Sequence, residues 1–386
     1  MKILHTSDLH IGKKLDGVSR LDEQRAVLYE ILNIASENNV DIALIAGDVF
    51  DTFIPSAEAE NLFFDFLDEL SKREIITVCI SGNHDDADRL TASKTLASKR
   101  GIYLCGGSNQ FENAEHFGIK LVECGANHLL FEKDGERVFI ATVQYFGEAP
   151  IGYEIDKEQP FNDRVKDILH KIFANKSNDA CGILLTHLFM LGGSRSEGER
   201  DIDLGGVKVL SPSAIPTCCQ YTALGHLHKK QIASKEKNAI YSGSPLQYSY
   251  DEVGEDKSVV ILDIENNRVS NISEVKLTSG KKLAKLSCVG VENAEGILLE
   301  HTDKFVDLTV ITDRPLTFDE TAEIKKRFTN VTKIKLELIG DIEQGSVAGR
   351  KNLSEKELFV EFYKQKYGNA PDDDILKAYL EIMSEE

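Results

Sequence analysis

Five short apolar runs in this chain each end in a group that can hold a metal ion. They are residues 3–10 (ILHTSDLH), 41–51 (DIALIAGDVFD), 75–85 (IITVCISGNHD), 182–187 (GILLTH) and 221–228 (YTALGHLH). The groups are Asp8, His10, Asp48, Asn83, His187, His226 and His228. Carboxylate and amide oxygens with imidazole nitrogens, and no sulfur, suit hard or borderline divalent ions such as Mn²⁺, Fe²⁺ or Zn²⁺. Two ions about 3.5–4 Å apart need a shared ligand, and a carboxylate can bridge through both oxygens. Asp48, at the end of the central run, is the expected bridge. In Asp8-x-His10 and His226-x-His228, alternate residues leaving a strand end can point into one cleft. Two aspartates against two divalent ions leave a positive site, suited to a phosphodiester and to lowering the pKa of a bound water. His84, beside Asn83, is expected to act on a non-bridging or leaving oxygen, with Asp51 or Asp85 orienting it.

These groups need a scaffold that gathers strand ends. The run 42–46 has the length of a strand buried on both faces, and Gly47 permits a sharp exit. In an open α/β sheet, sites form beyond the carboxyl ends of the strands. Residues 21–37 and 56–72 have helical apolar periodicity, with Ser56 as N-cap, and 88–99 reads as a shorter helix. A hairpin is expected through Lys133-Asp134-Gly135-Glu136 and a helix over 161–173. Residues 188–206 read as a glycine-rich loop. The pattern predicts an α/β fold of two stacked mixed β-sheets flanked by helices, parallel first and mostly antiparallel later.

Residues 1–275, which carry all of these groups, form the first expected domain. A small α+β capping domain is expected over 276–340, with strands near 283–289, 305–311 and 331–338 and helices near 292–300 and 317–328. The tail, 341–386, reads as a glycine-containing tether followed by two amphipathic helices. Ser354 and Glu357 form a capping box there, and Leu358, Phe359, Phe362, Tyr363 and Tyr367 make an apolar stripe.

Composition sets limits. The 386 residues are 28% charged and 41% hydrophobic, an ordinary soluble mixture. No run approaches the roughly 18 apolar residues of a membrane span, and the N-terminus turns polar too early for a signal peptide, so a cytoplasmic location is expected. Seven cysteines without a C-x-x-C pair read as reduced thiols. The net charge of −19 counts against a protein that grips DNA unaided, though not against a metal site acting on phosphates. Residues 276–340 carry 11 basic and 10 acidic side chains, so the negative charge lies elsewhere. His5, His116, His128, His170 and His301 read as packed or surface residues. Lys13-Lys14, Lys229-Lys230 and Lys325-Lys326-Arg327 read as solvated faces rather than phosphate clamps.

In order, D-x-H, G-D-x-x-D, G-N-H-D, a lone His after a strand and G-H-x-H resemble the motifs of the calcineurin-like metallophosphoesterases. The wording SDLHIGK (7–13), GDVFD (47–51), SGNHD (81–85), GHLH (225–228) and YSGSP (241–245) is similar to the bacterial branch of the double-strand-break repair nucleases. The resemblance covers residues 1 to about 265. It implies that Asp8, His10, Asp48 and His228 hold one ion and Asp48, Asn83, His187 and His226 the other, with His84 assisting catalysis. It further implies Mn²⁺-dependent exonuclease and endonuclease cleavage of DNA in repair and recombination, a homodimeric nuclease core, and an ATPase partner with a long coiled coil. Asp51 stands where archaeal and eukaryotic relatives have a second catalytic histidine.

Other functions fit less well. Protein phosphatases expect Arg soon after the second Asp, and Asp51-Thr52-Phe53 has none. A small-molecule or nucleotide phosphoesterase would not need the added domain and tail. An inactive scaffold has no physical need for the full ligand set with His84. The dimer that the resemblance implies is expected to form through residues 56–72 and 88–99, where Leu62, Phe63, Phe66, Leu67 and Leu70 offer more apolar surface than one helix requires; the alternative is that they face the monomer's own core.

Overall fold

The computed structural model describes residues 1–106, 109–145, 159–194 and 209–339, together with 359, 360, 363, 371, 375 and 376. The predicted tether at 340–352, the capping box at Ser354 and Glu357, and most of the two tail helices lie outside the described residues. Two compact units are distinguished, one of Met1–Val310 with Leu316–Lys335 and one of Ile311–Pro315 with Leu336–Glu386. In the second unit Phe359 and Tyr363 are helical, with ring centroids 6.0 Å apart, as an i, i+4 pair requires.

The first unit is built on two sheets. One runs, edge to edge, Arg268–Leu277, Lys257–Glu265, Lys2–Thr6, Ile42–Ala46, Ile76–Ile80 and Ile102–Cys105. The last four are parallel, and Lys2–Thr6 pairs antiparallel with Lys257–Glu265. The other runs Gln231–Ser234, Ala239–Tyr241, Tyr221–Leu224, Cys181–Thr186, Glu136–Val143, His128–Lys133, Ile119–Gly125 and Glu115–His116. Its four central members, Ala239–Tyr241 through Glu136–Val143, are also parallel. The expected shift toward antiparallel pairing holds for the outer pairs, Glu115–His116 through Glu136–Val143, Gln231–Ser234 with Ala239–Tyr241, and Lys257–Glu265 with Arg268–Leu277, whereas helix Phe161–Phe173 is a crossover that keeps the centre of the second sheet parallel.

Strand Ile42–Ala46 is buried on both faces because each face has its own core. Ala43 and Ile45 pack with helices Leu21–Glu37 and Ala57–Lys72, whereas Ile42, Leu44 and Ala46 meet Ile183, Leu185 and Ala223 of the opposite sheet. A third apolar cluster lies between the second sheet and Phe161–Phe173. The order is helix, sheet, sheet, helix. Ser56 caps Ala57–Lys72, its Oγ accepting from Ala59 N at 3.3 Å. The helix expected over 88–99 is two short ones, Ala87–Leu90 and Lys94–Ser98. Thr91 Oγ1 donates back to Ala87 O at 2.8 Å, the local side-chain bonding by which hydroxyl residues interrupt helices.

Leu62, Phe63, Phe66, Leu67 and Leu70 are all buried within the chain's own core. Burial of such side chains is worth about 1.5–3 kcal/mol each to the monomer. The apolar surplus that motivated dimerisation through this stripe is thus already used.

Strands Leu283–Val289, Phe305–Thr312 and Val331–Leu338 form a separate three-stranded sheet. Val306, Leu308 and Val310 pack with Leu298 of helix Ala294–Leu299 and with Ile324 of helix Phe318–Arg327. Thr317 and Glu320 cap that last helix reciprocally.

Candidate metal centre

Each expected ligand leaves the carboxyl end of a parallel strand. Asp8 and His10 follow Lys2–Thr6, Asp48 follows Ile42–Ala46, and Asn83 with His84 follows Ile76–Ile80. From the opposing sheet, His187 follows Cys181–Thr186, and His226 and His228 follow Tyr221–Leu224. The two sheets deliver all seven to one place. Asn83 is half-buried and the other six are buried.

Asp48 stands in the middle. Its Oδ2 is 3.5 Å from His10 Nε2 and 3.4 Å from His187 Nε2. On one side His10 Nε2 faces His228 Nε2 at 3.0 Å. On the other, His187 Nε2 and His226 Nδ1 each lie 2.9 Å from Asn83 Oδ1. Asp8 Oδ1 accepts from His226 N at 2.8 Å and lies 4.0 Å from His187 Nδ1, while its Oδ2 accepts from Ser7 Oγ. His187 Nδ1 donates to Ala46 O at 2.8 Å, which leaves Nε2 as the nitrogen facing Asp48 and Asn83.

The backbone supports a purpose-built arrangement. Asp8, His10, Asp48 and His226 all have left-handed φ, at 53°, 43°, 46° and 109°. Such conformations cost of order 1–3 kcal/mol each and cluster at functional sites. Two glycines permit the close approach. A Cβ on Gly82 would lie 2.1 Å from Asp48 Oδ1, and one on Gly225 would lie 1.8 Å from Ala46 O.

Electrostatics agree with a cation site. Burial favours the neutral form of Asp48, but the pull of His187, His10 and His84 outweighs it and holds the carboxyl well below its usual range. Burial lifts Asp8 to about 6 against the pull of His187. Burial pushes His10 well below its usual value, with Asp48 opposing. His187 goes the other way: Asp48 and Asp8 overcome its burial and raise it to about 9. Facing nitrogens at 3.0 Å, carboxylates between imidazoles and a strained backbone fit two divalent ions sharing Asp48. Two clusters of ligand atoms meet at that residue, Asp8 with Asp48 and His187, and His10 with Asp48 and His84.

His84 and its neighbours are placed differently from one another. His84 N donates to Asp48 Oδ1 at 2.9 Å, and His84 Nδ1 donates to Asp51 O at 2.8 Å. Asp51 therefore orients His84 through its carbonyl. The Asp51 carboxylate lies 4.0 Å from His84 Nδ1 and 3.6 Å from His10 Nδ1, and accepts from Lys13 Nζ at 2.9 Å. Asp85 spends its carboxylate on backbone amides. It accepts from Gly82 N (2.9 Å), Val49 N (3.0 Å) and Phe50 N (2.9 Å), stapling the turn that carries Asn83 to the segment after Asp48. Its expected part as orienter of His84 is corrected to a backbone anchor.

Residues that the motifs did not single out complete the site. Gln24 Nε2 donates to His10 O at 2.8 Å, and Gln24 Oε1 accepts from Gly12 N at 3.0 Å, clamping the turn after Asp8. Lys257 and Glu252 lie behind His228. Lys229 pairs with Glu255 and Lys230 with Glu274, so these basic residues are committed to carboxylates. His5 is buried against Tyr221 and His128 is stacked on Phe139, packed as expected.

The chain is similar to known proteins along most of its length. The family model described as calcineurin-like phosphoesterase matches residues 1–230. The D component of the nuclease SbcCD from Bacillus subtilis (strain 168) is 33% identical over 402 residues, covering 100% of this chain and 98% of the relative. Its namesake from Staphylococcus epidermidis is 27% identical, covering 94% of this chain and 93% of the relative. The namesake from Escherichia coli (strain K12) is 28% identical, covering 74% and 70%.

Proposed function

Because the chain belongs to the calcineurin-like phosphoesterase family, we propose that it is a metal-dependent nuclease that hydrolyses DNA phosphodiesters as the SbcD-like half of an SbcCD-type complex. The observation that carries the chemistry is Asp48 standing between two imidazole clusters, 3.5 Å from His10 Nε2 and 3.4 Å from His187 Nε2. The native pair of ions in this reading is Mn²⁺. Asp8, His10, Asp48 and His228 hold one, and Asp48, Asn83, His187 and His226 hold the other. Bound there, the ions supply Lewis-acid charge for the phosphoryl oxygens and a water of lowered pKa.

The protein's own groups do the rest. Asp85 and Gln24 fix the turns that present Asn83 and His10. The hydrogen bond to Asp51 O keeps a proton on His84 Nδ1, so Nε2 is the nitrogen through which His84 would exchange a proton with the leaving oxygen. Buried surroundings keep these charges strong by lowering the local dielectric.

The division of labour along the chain follows. In this reading residues 1–275 cut, 276–340 cap the cleft, and 341–386 dock an SbcC-like coiled-coil ATPase. Among the described residues no helix is long and apolar enough to cross a membrane. The test is cleavage of linear duplex and hairpin DNA in Mn²⁺, with and without the ATPase, using Asp48→Ala as control. That variant loses both ions, measured by elemental analysis, along with cleavage. Two ions retained in Asp48→Ala, or turnover confined to phosphomonoesters, would overturn the reading.

A further inference from the structure

His228 presents Nε2 to the centre, 3.0 Å from His10 Nε2, so its Nδ1 is the nitrogen turned away. What faces that nitrogen is Glu252, whose Oε1 lies 3.7 Å from it, within the range of an ion pair. Glu252 is fully buried, and a carboxylate does not sit there without compensation. Oε1 accepts from Tyr248 N at 3.0 Å and Ser249 N at 2.9 Å, and Oε2 pairs with the buried Lys257 ammonium.

Lys257 is tied to the same ligand. Its Nζ donates to His228 O at 2.8 Å and to Ser244 Oγ at 3.0 Å. Tyr248, whose amide Glu252 holds, sets its ring edge-on to both His228 and His10, at 6.1 and 5.7 Å between centroids. One buried ion pair therefore addresses the backbone, the ring nitrogen and the flank of a single histidine.

An anion at Nδ1 favours the tautomer protonated on Nδ1 and leaves the Nε2 lone pair for a cation. It also raises the basicity of the ring as a ligand. We infer that Glu252 is a positioning residue for the metal centre, setting the tautomer and donor strength of His228, with Lys257 holding its carboxylate in place. The inference rests on the reading of His228 as a ligand of one of the two ions.

The test uses the full chain and Mn²⁺ binding measured by calorimetry and elemental analysis, not turnover. Glu252→Gln keeps the acceptor for the two backbone amides but removes the charge. It is expected to weaken one ion about 10–100-fold and leave the other within a few-fold. Because that variant strands a buried ammonium, Glu252→Gln/Lys257→Met removes both charges at similar volume and serves as the folded comparison. The weakened ion is expected to stay weakened there. If the double variant binds both ions as the unaltered chain does, Glu252 only caps its turn and the inference is overturned.

Nitrogen-15 NMR of the metal-free, histidine-labelled protein gives a second readout. His228 is expected protonated on Nδ1 in the unaltered chain, and a proton on Nε2 would also overturn the inference. His228→Ala separates the two levels of the argument. If it keeps both ions at full affinity, the ligand reading falls and this inference with it. If it loses one while both Glu252 variants keep it, only the positioning role falls.

Discussion

Gly82→Ala displaces the Asp48 carboxylate, the proposed bridge, without replacing any proposed ligand. The Cβ it adds would lie 2.1 Å from Asp48 Oδ1, 2.3 Å from Asp48 N and 2.8 Å from Asp48 Cγ. Real Cβ contacts essentially never fall below 3.0 Å, so Asp48 or the turn must give by roughly 1 Å. Two of the three atoms belong to a side chain held on both sides, by His187 and by His84 N. Overpacking of this kind costs about 1–3 kcal/mol of stability. A displacement of about 1 Å at a reacting centre costs on the order of 10²-fold in rate. The assay is hydrolysis of bis(p-nitrophenyl) phosphate and of linear duplex DNA in Mn²⁺, with urea unfolding in chelator as the stability measure. Gly296→Ala is the control. It lies in helix Ala294–Leu299, where an added Cβ meets nothing within 4 Å, and it should gain about 0.5–1 kcal/mol without altering turnover. Turnover of Gly82→Ala within a few-fold of the unaltered protein, with both ions bound, would refute the claim that Asp48 must occupy this position.

His84→Gln should keep both ions and DNA binding while losing on the order of 10²-fold in cleavage; loss of an ion by elemental analysis would make His84 a ligand instead. His5, neutral in the core with its pKa lowered by burial from 6.5 to about 3, sets a pH dependence. Between those values the unfolded chain binds the extra proton, so stability falls as pH drops through the window, by up to about 1.4 kcal/mol per pH unit. Urea midpoints of the metal-free protein should show a shallower fall in His5→Gln, and identical slopes would remove His5 from the account. Truncation of residues 350–386 should leave a folded, Mn²⁺-active core that no longer co-purifies with the ATPase. Continued co-purification would place the docking element elsewhere.

The residues that meet at the candidate centre were legible in the sequence because each follows closely on an apolar run, where strand period and chain order leave little freedom. Asp8, Asp48 and His187 needed no tertiary information beyond that. Gln24, Glu252 and Lys257 were not legible, since each reaches its target across a distance in sequence that no local pattern encodes. Ser249 and Glu252 even have the spacing of an ordinary capping box, which hides the second partner of that carboxylate. Asp85 misled for the same reason: adjacency to His84 suggested contact, but the turn sends its side chain to backbone amides. The edge strand Arg268–Leu277 escaped because its exposed side alternates with only modestly apolar residues, and only its pairing with Lys257–Glu265 defines it. The buried stripe of Ala57–Lys72 was read correctly as apolar, but periodicity does not say which surface will cover it.

The strand that carries Asp8 and His10 has its antiparallel neighbour at Lys257–Glu265, near the far end of the domain. His187, His226 and His228 all emerge from the ribosome before that neighbour does. At about 5–20 residues per second, the N-terminal strand therefore waits many seconds for one of its two flanking partners. A nascent chain holding every ligand of the centre still lacks the strand that closes the sheet beneath it. Synthesis order thus leaves the sheet beneath the candidate centre one strand short until Lys257–Glu265 has been made, so a chain terminated before that strand lacks the edge that flanks Lys2–Thr6.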